Sequence, residues 1–182
     1  MTGARDVPLF CGRSVADLRQ EVLADIRERA AHLDPDSQTN IPEAMFLVGV
    51  LGKYDLSLPD LQFDRVFSRD VTIDGQRVLE IHIPMVGKPR NLHLSPSGPG
   101  VDDALAEAFS YEFVDGDLCL SLPLRNDRPD DVAIVTEEVL EVAERRYRAV
   151  EAELQSLRRD AYETAVDRYR RETDSRHRGR LF

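Results

Sequence analysis

The side chains with the clearest chemical potential lie in a loop rich in proline and glycine, residues 87–100. Five polar or cationic groups fall close together in it: Lys88, Arg90, His93, Ser95 and Ser97. A loop of this kind can present backbone N–H groups and cations to an anion. The pattern favours an ordered connection between two hairpins, and a site for an anion or small ligand is the alternative.

Motifs of familiar enzymes and cofactor sites are missing from the sequence. It contains no HExxH, CxxC, GxSxG, GxGxxG or EF-hand pattern. Gly49, Gly52 and Lys53 resemble a phosphate loop only faintly, because two residues rather than four separate the glycines and Tyr54 replaces the Ser or Thr. We therefore expect no bound cofactor and no catalytic residue, and an enzyme is the lesser hypothesis.

Histidine and cysteine are sparse and scattered along the chain. The histidines are His32, His82, His93 and His177. None of them is paired at a spacing typical of metal ligands. Cys11 and Cys119 fit neither a zinc motif nor a disulfide framework, and no base adjacent in the sequence would activate either thiol. The sequence thus predicts no metal site and two inert thiols.

Charge restricts the possible partners. The chain has 24 basic and 34 acidic residues, a net charge of −10, which repels nucleic acid over most of its surface. Near the C-terminus six arginines outnumber the acidic residues, so that residues 167–182 carry +3. These are Arg168, Arg170, Arg171, Arg176, Arg178 and Arg180. Any contact with nucleic acid would use this basic tail, and the alternative interpretation is a solvated helix end.

The last third of the chain predicts one long helix over residues 129–172, followed by residues 173–182, the last part of the basic tail. Apolar side chains recur there at spacings of three and four, as in a coiled coil. This seam consists of Tyr147, Val150, Leu154, Leu157 and Ala161. A helix of about 40 residues would be roughly 60 Å long. We therefore expect it to project from the domain or to fold back as a hairpin, with the seam packed on the first helix, on a partner or on a second copy.

Helical spacing of apolar residues also predicts a first helix from Val15 to Leu33, with Ser14 as its N-cap. Ala44–Leu51 is a short apolar run that suits a buried strand or a short turn of helix. Two stretches of alternating polarity predict β-hairpins, the first turning at Asp74 and Gly75 and the second at Asp115 and Gly116. Each hairpin is expected to have one solvent-exposed face and one buried face.

These elements predict an α+β fold. It has an N-terminal helix, an antiparallel sheet of four or five strands built from two hairpins, and a long C-terminal helix or helical hairpin. Residues 1–13 form an N-terminal segment and residues 14–128 the α+β domain. No apolar run is long enough to span a membrane, and the N-terminus lacks the apolar core of a signal peptide. We therefore expect a cytoplasmic protein without a membrane partner.

The segment Ile83–Gly100 (IPMVGKPRNLHLSPSGPG), followed by a hairpin and a long charged helix, resembles a bacterial family. In that family an IPF-x-G-x-P…L…PS segment lies between two strand pairs, and Met85 stands here where Phe is preferred. The resemblance covers about residues 55–170 and is to accessory regions found with defence-type effector proteins. It implies a sensor, scaffold or oligomerisation module and transfers no catalytic residue.

Three hypotheses follow for the function. The first is a non-catalytic interaction or oligomerisation module, an adaptor that binds a protein partner or a second copy of itself. The second is an accessory protein that contacts nucleic acid through the basic tail. The third is a small-ligand binder or enzyme that uses loop 87–100.

Overall fold

The computed structural model describes residues 9–31, 42–97, 109–124 and 132–179. Within these residues it has three α-helices and one five-stranded antiparallel sheet, so the predicted α+β class is confirmed. The helices are α1 (Val15–Ala31), α2 (Glu43–Leu51) and α3 (Val132–Gly179). The strands are β1 (Asp60–Leu61), β2 (Phe67–Ile73), β3 (Gln76–Val86), β4 (Ser110–Val114) and β5 (Asp117–Pro123).

The chain divides into two compact units. One combines Met1–Val15 with Ser57–Ala152, and we call it the sheet unit. The other, the helical unit, combines Ala16–Leu56 with Glu153–Phe182. The long helix α3 is continuous over 48 residues, about 72 Å at ~1.5 Å per residue, so the alternative of a helical hairpin is excluded. This division was not predicted, because helical periodicity does not show where one core ends and the next begins.

Both predicted hairpins are present. Ile73 pairs with Gln76 in the first hairpin and Val114 with Asp117 in the second, which leaves two residues in each turn. Each turn begins with an aspartate at φ 50° or 53° and continues with a glycine at φ 81° or 95°. Positive φ at both central positions is the type I′ geometry, whose twist matches that of the flanking strands.

One face of the sheet is the core of the sheet unit. Leu79, Ile81 and Ile83 of β3 alternate with polar neighbours and are all fully buried. Their partners across the β3–β5 pair are Leu122, Leu120 and Leu118. Residues of α3 in the same unit are also buried: Val139, Val142, Ala143, Arg146, Tyr147 and Val150. An antiparallel sheet covered on one side produces this alternation of buried and exposed residues.

The apolar residues of β2 were predicted to form a buried face of the first hairpin, and this prediction is wrong. Paired residues of an antiparallel sheet project to the same side, and Phe67 pairs with His82 while Val71 pairs with Val78. The apolar side chains of β2 therefore share a face with the polar residues of β3, opposite the core. Phe67 is 51% exposed and Ile73 is 48% exposed, and no residue of β2 is buried. Apolar alternation predicts which residues of a strand share a face but not which face of the sheet that is.

The helical unit has a core of its own from α1, α2 and the C-terminal part of α3. Arg19 of α1 forms an ion pair with Asp160, and its Nη2 donates to Ser156 Oγ at 3.1 Å. The ring of Phe46 in α2 lies 5.3 Å from that of Tyr169. Residues Glu43–Leu51 form a helix, so the alternative of a strand in this segment is wrong. Val48 is 74% exposed, which a buried strand would not allow.

The seam of α3 is buried within the chain. Tyr147 and Val150 lie in the core of the sheet unit, while Leu154, Leu157 and Ala161 lie in the core of the helical unit. Tyr147 Oη donates to the Pro59 carbonyl at 3.0 Å. All five are at most 9% exposed, so packing within the chain accounts for the seam. Of the alternatives left open for the seam, its burial favours packing within the chain over a partner or a second copy.

We predict that Leu154→Ala destabilises the protein by about 2–5 kcal/mol, because it leaves a cavity in a closed core. The free energy of unfolding is measured by denaturant titration. Tyr162→Ala, at a 51% exposed position of the same helix, should change it by less than about 0.5 kcal/mol. A change in oligomeric state of Leu154→Ala without loss of stability would contradict the internal packing of the seam.

The hydroxyl of the half-buried Tyr54 joins α1 to the residues after α2. Tyr54 donates its hydroxyl hydrogen to Asp25, which also pairs with Arg29 Nε at 2.7 Å. Burial and the hydrogen bond to Asp25 raise the pKa of Tyr54 from 10.0 to about 12. The arginine and tyrosine hydrogen bonds lower the pKa of Asp25. The folded state thus favours the protonated tyrosine and the ionised aspartate.

The raised pKa of Tyr54 predicts a loss of stability at high pH. Below pH 10 the phenol is protonated in both the folded and unfolded states, whereas between pH 10 and about 12 the unfolded state releases its proton first. The free energy of unfolding should therefore fall more steeply over this interval in the wild type than in Tyr54→Phe. At pH 7 the same variant should lose about 1 kcal/mol with the hydrogen bond. Equal slopes in the two proteins would contradict this role of Tyr54.

Candidate functional site

Loop 87–100 is anchored by the N-terminal segment. Over Leu92–Ser95 its backbone bonds to residues 10–15: Phe10 N donates to Leu92 O at 2.9 Å and Gly12 N to His93 O at 2.8 Å. Ser95 Oγ donates to the Gly12 carbonyl at 3.0 Å. Leu92 and Leu94 are buried. This arrangement favours the ordered connection over the anion site.

The polar side chains that were predicted to form a ligand site in this loop are mostly exposed. Lys88, Arg90, His93 and Ser97 are exposed, while Ser95 is half-buried by its contact with the N-terminal segment. Asn91 adopts φ 60°, and its side-chain amide donates to the Ser57 carbonyl at 2.8 Å. The polar groups of the loop therefore serve in part to hold its own fold.

The basic tail is helical as far as Gly179. Arg168 Nη1 lies 4.0 Å from Glu172, and Arg170 Nη2 lies 3.7 Å from Glu43. Two of its arginines thus face carboxylates of the same unit. Arg171 is exposed, whereas the side chains of Arg176 and Arg178 and the whole of Arg180 lie outside the described residues.

A polar row crosses the face of the sheet that is opposite the core, which we call the open face. Phe67 of β2 pairs with His82 of β3, His82 with Cys119 of β5, and Cys119 with Glu112 of β4. The neighbouring row contains Glu80, which pairs with Arg69 on one side and Ser121 on the other. Cross-strand pairing thus assembles a thiol, an imidazole and carboxylates from three strands.

The imidazole of His82 has an aromatic ring on one face and polar side chains near both of its nitrogens. Its ring stacks on Phe67 with centroids 4.6 Å apart and planes within 7°. Nε2 lies 3.7 Å from Cys119 Sγ and 3.8 Å from Glu80 Oε2. On the other edge of the ring, Nδ1 lies 3.8 Å from Asp117 Oδ2. His82 is 5% exposed although it lies on the open face.

The thiol of Cys119 is a poor nucleophile in this setting. It is 1% exposed, and burial together with the negative charge of Glu80 raises its pKa to about 11. The thiolate, the reactive form, is therefore scarce at neutral pH. Reactive cysteines lie instead in accessible, electropositive surroundings. The cysteine–histidine pair accordingly does not support thiol catalysis.

Sequence reasoning missed this cluster because its members are not close in the sequence. Glu80 and His82 are two residues apart, but Cys119 lies 37 residues after His82. The signal was present in part, since Cys119, His82 and Glu80 all occupy the polar positions of their strands. What was missing was the β3–β5 register, which an alternating pattern does not specify.

The open face also carries a recess at its turn end. It has a volume of about 430 Å³ and is lined in part by Ile73, Val78, Ser121 and Pro123. Ile73 thus stands beside a concave, partly apolar surface that is large enough to receive side chains of another molecule.

Comparison of the chain with models of known families, with curated proteins and with solved structures finds no match. The resemblance to accessory regions of defence-type systems therefore stays a prediction. Among the described residues, no helix combines the length and the apolar character needed to cross a bilayer.

The two thiols should react differently with an aromatic disulfide reagent. Cys11 is half-buried and Cys119 is buried, so one equivalent should react readily in the native protein and the second only after denaturation. Cys11→Ser should abolish the native reaction, and Cys119→Ser should leave it. Rapid modification of both thiols under native conditions would contradict the burial of Cys119.

Proposed function

We propose that this protein is a non-catalytic interaction module that binds an extended segment of another protein along β2. The observation that carries the proposal is the exposure of this strand. Each of its seven residues is exposed or half-buried, and β2 pairs with β3 alone among the described strands. Strand addition to a sheet edge is a common mode of peptide recognition.

The second edge of β2 provides the chemistry for such binding. An edge strand presents unpaired N–H and C=O groups that a partner's backbone can satisfy. Specificity then comes from alternate side chains, and Phe67, Val71 and Ile73 all project onto the open face. The partner segment is therefore expected to carry apolar residues at alternate positions.

Charge favours a foreign partner over a second copy. Two copies would each carry −10 and repel one another over much of their surfaces. Around β2 itself the charges are balanced, because Arg69 Nε lies 2.6 Å from Glu80 Oε2 and Arg77 pairs with Asp70. The expected partner segment is therefore apolar, in a protein that is neutral or basic overall.

The non-catalytic part of the proposal is supported by the burial of Cys119, which is 1% exposed, and by the anchored loop 87–100. The seam of α3 is not available for binding because it is buried within the chain. The nucleic-acid hypothesis remains as the alternative that uses the basic tail. An adaptor role in a defence-type system is consistent with this proposal, but it would also require a partner from such a system.

The proposal predicts that Ile73→Lys weakens partner binding. Wild type, Ile73→Lys and Val48→Lys are used to capture proteins from lysate of the source cell, with and without nuclease. Val48, 74% exposed on α2 in the helical unit, is the matched control. Burying an isoleucine side chain contributes about 1.5–3 kcal/mol, so we expect binding roughly tenfold to a hundredfold weaker for Ile73→Lys alone.

Purified components then test the mode of binding. Addition of the captured partner should slow hydrogen exchange of the backbone amides of residues 67–73 in the wild type. Equal capture by all three proteins would overturn the proposal. So would recovery of the chain alone, whereas loss of every partner on nuclease treatment would replace it with the nucleic-acid alternative.

A further inference from the structure

Glu80, His82 and Cys119 place three different metal-ligand groups around one point of the sheet. Their ligand atoms all lie within 4.8 Å of one another. Among the described residues this is the one such group of three or more. We propose that these side chains bind a transition-metal ion of the zinc class, a function that does not depend on the docking of a partner at β2.

Two of the three ligand pairs lie near the separations of a tetrahedral ion, and the third, Cys119 with Glu80, lies within 4.8 Å. Zinc binds sulfur at about 2.3 Å, nitrogen at about 2.0 Å and carboxylate oxygen at about 2.0–2.2 Å. Ligand atoms at the corners of such a tetrahedron lie roughly 3.3–3.6 Å apart. Here Cys119 Sγ is 3.7 Å and Glu80 Oε2 3.8 Å from His82 Nε2. A few tenths of an ångström close these two pairs.

Strand pairing fixes the relative positions of the three ligand residues. His82 and Cys119 are directly paired on β3 and β5, and Glu80 lies two residues from His82 on the same face. Strands hold such neighbours at fixed separations, and neighbours on one face are close enough for their side chains to meet. The ligands therefore require no loop to close around the ion, only small adjustments of side-chain torsions.

Charged side chains contact two of the proposed ligands, as is common around metal sites. Asp117 Oδ2 lies 3.8 Å from His82 Nδ1, so Nδ1 faces a carboxylate while Nε2 faces the other two ligands. Such a carboxylate orients a ligating imidazole and increases its basicity. Arg69 Nε donates to Glu80 Oε2 at 2.6 Å, and a carboxylate oxygen has a second lone pair with which to bind an ion.

The ligand types specify the class of ion. A thiolate with an imidazole suits zinc and similar ions, whereas magnesium and calcium require oxygen ligands. Three protein ligands leave the fourth coordination position to a water molecule. The carboxylates of Glu80 and Asp117 supply negative charge, which compensates a divalent cation in this buried setting.

Binding is balanced by the release of one proton. The Cys119 thiol loses its proton to solvent as the sulfur–metal bond forms, and His82 binds through the lone pair of Nε2. No oxidation or reduction is involved.

Cobalt(II) is the probe of choice, because a thiolate–cobalt bond gives a charge-transfer absorption that zinc lacks. The reduced full-length protein is titrated with Co²⁺ and then with Zn²⁺. We expect one equivalent of Co²⁺ with the thiolate band, bleached by Zn²⁺, and a higher melting temperature with Zn²⁺. Wild type that shows neither the band nor a Zn²⁺-dependent shift would overturn the proposal.

Variants assign the ligands. Cys119→Ser should lose the band, while Cys11→Ser, the matched thiol control, should keep it. Glu80 is less buried than Cys119, so Glu80→Gln should fold. This variant should keep the thiolate band and bind Co²⁺ at least tenfold more weakly than the wild type. Glu112→Gln should bind Co²⁺ nearly as the wild type does. Circular dichroism establishes that each variant is folded. A band that survives Cys119→Ser, or vanishes in Cys11→Ser, would place the metal elsewhere and refute this site.

Discussion

The register of the first hairpin is the constraint on which the open face depends. A two-residue turn at Asp74 and Gly75 pairs Ile73 with Gln76, and every later pair of β2 and β3 follows from it. Since side chains alternate with a period of two, a shift by one residue would move the apolar residues of β2 to the core face. The observed register places Phe67 over His82 and leaves Ile73 beside the recess. Positive φ at both turn residues is what holds it there.

The two faces of the sheet consequently have different physical roles. The core face buries Leu79, Ile81 and Ile83 completely and supplies the hydrophobic stabilisation of the sheet unit. The open face combines a polar, nearly closed cluster around His82 with an exposed apolar edge on β2. Exposed apolar surface next to a recess is typical of interaction sites rather than of free solvent-facing strands. The proposed metal site and the proposed docking strand meet at the stacked pair of Phe67 and His82.

Helix α3 contributes to both cores with a single apolar stripe. Tyr147 packs with aromatic rings of the sheet unit, 5.7 Å from Phe63 and 6.2 Å from Phe10. Farther along, Leu154 and Leu157 are buried in the helical unit. One period of three and four residues serves both environments, because each core requires only that apolar residues recur on one side of the helix. The same periodicity would serve a coiled coil, which explains why the seam looked like an interface.

Local patterns in the sequence were enough to predict α1, α3 and the two hairpins, but not β1 or the helical state of residues 43–51. Alternating polarity and two Asp-Gly pairs were enough to predict both hairpins, because these signals act over a few neighbouring residues. Apolar spacings of three and four predicted α3 but did not show whether it is continuous or folds back. Which face of the sheet β2 presents, and which side chains meet across β3 and β5, was decided only by tertiary pairing. Cys119 and His82 become neighbours through contacts 37 residues apart, and the energy that fixes such a register comes from the packing of the whole core.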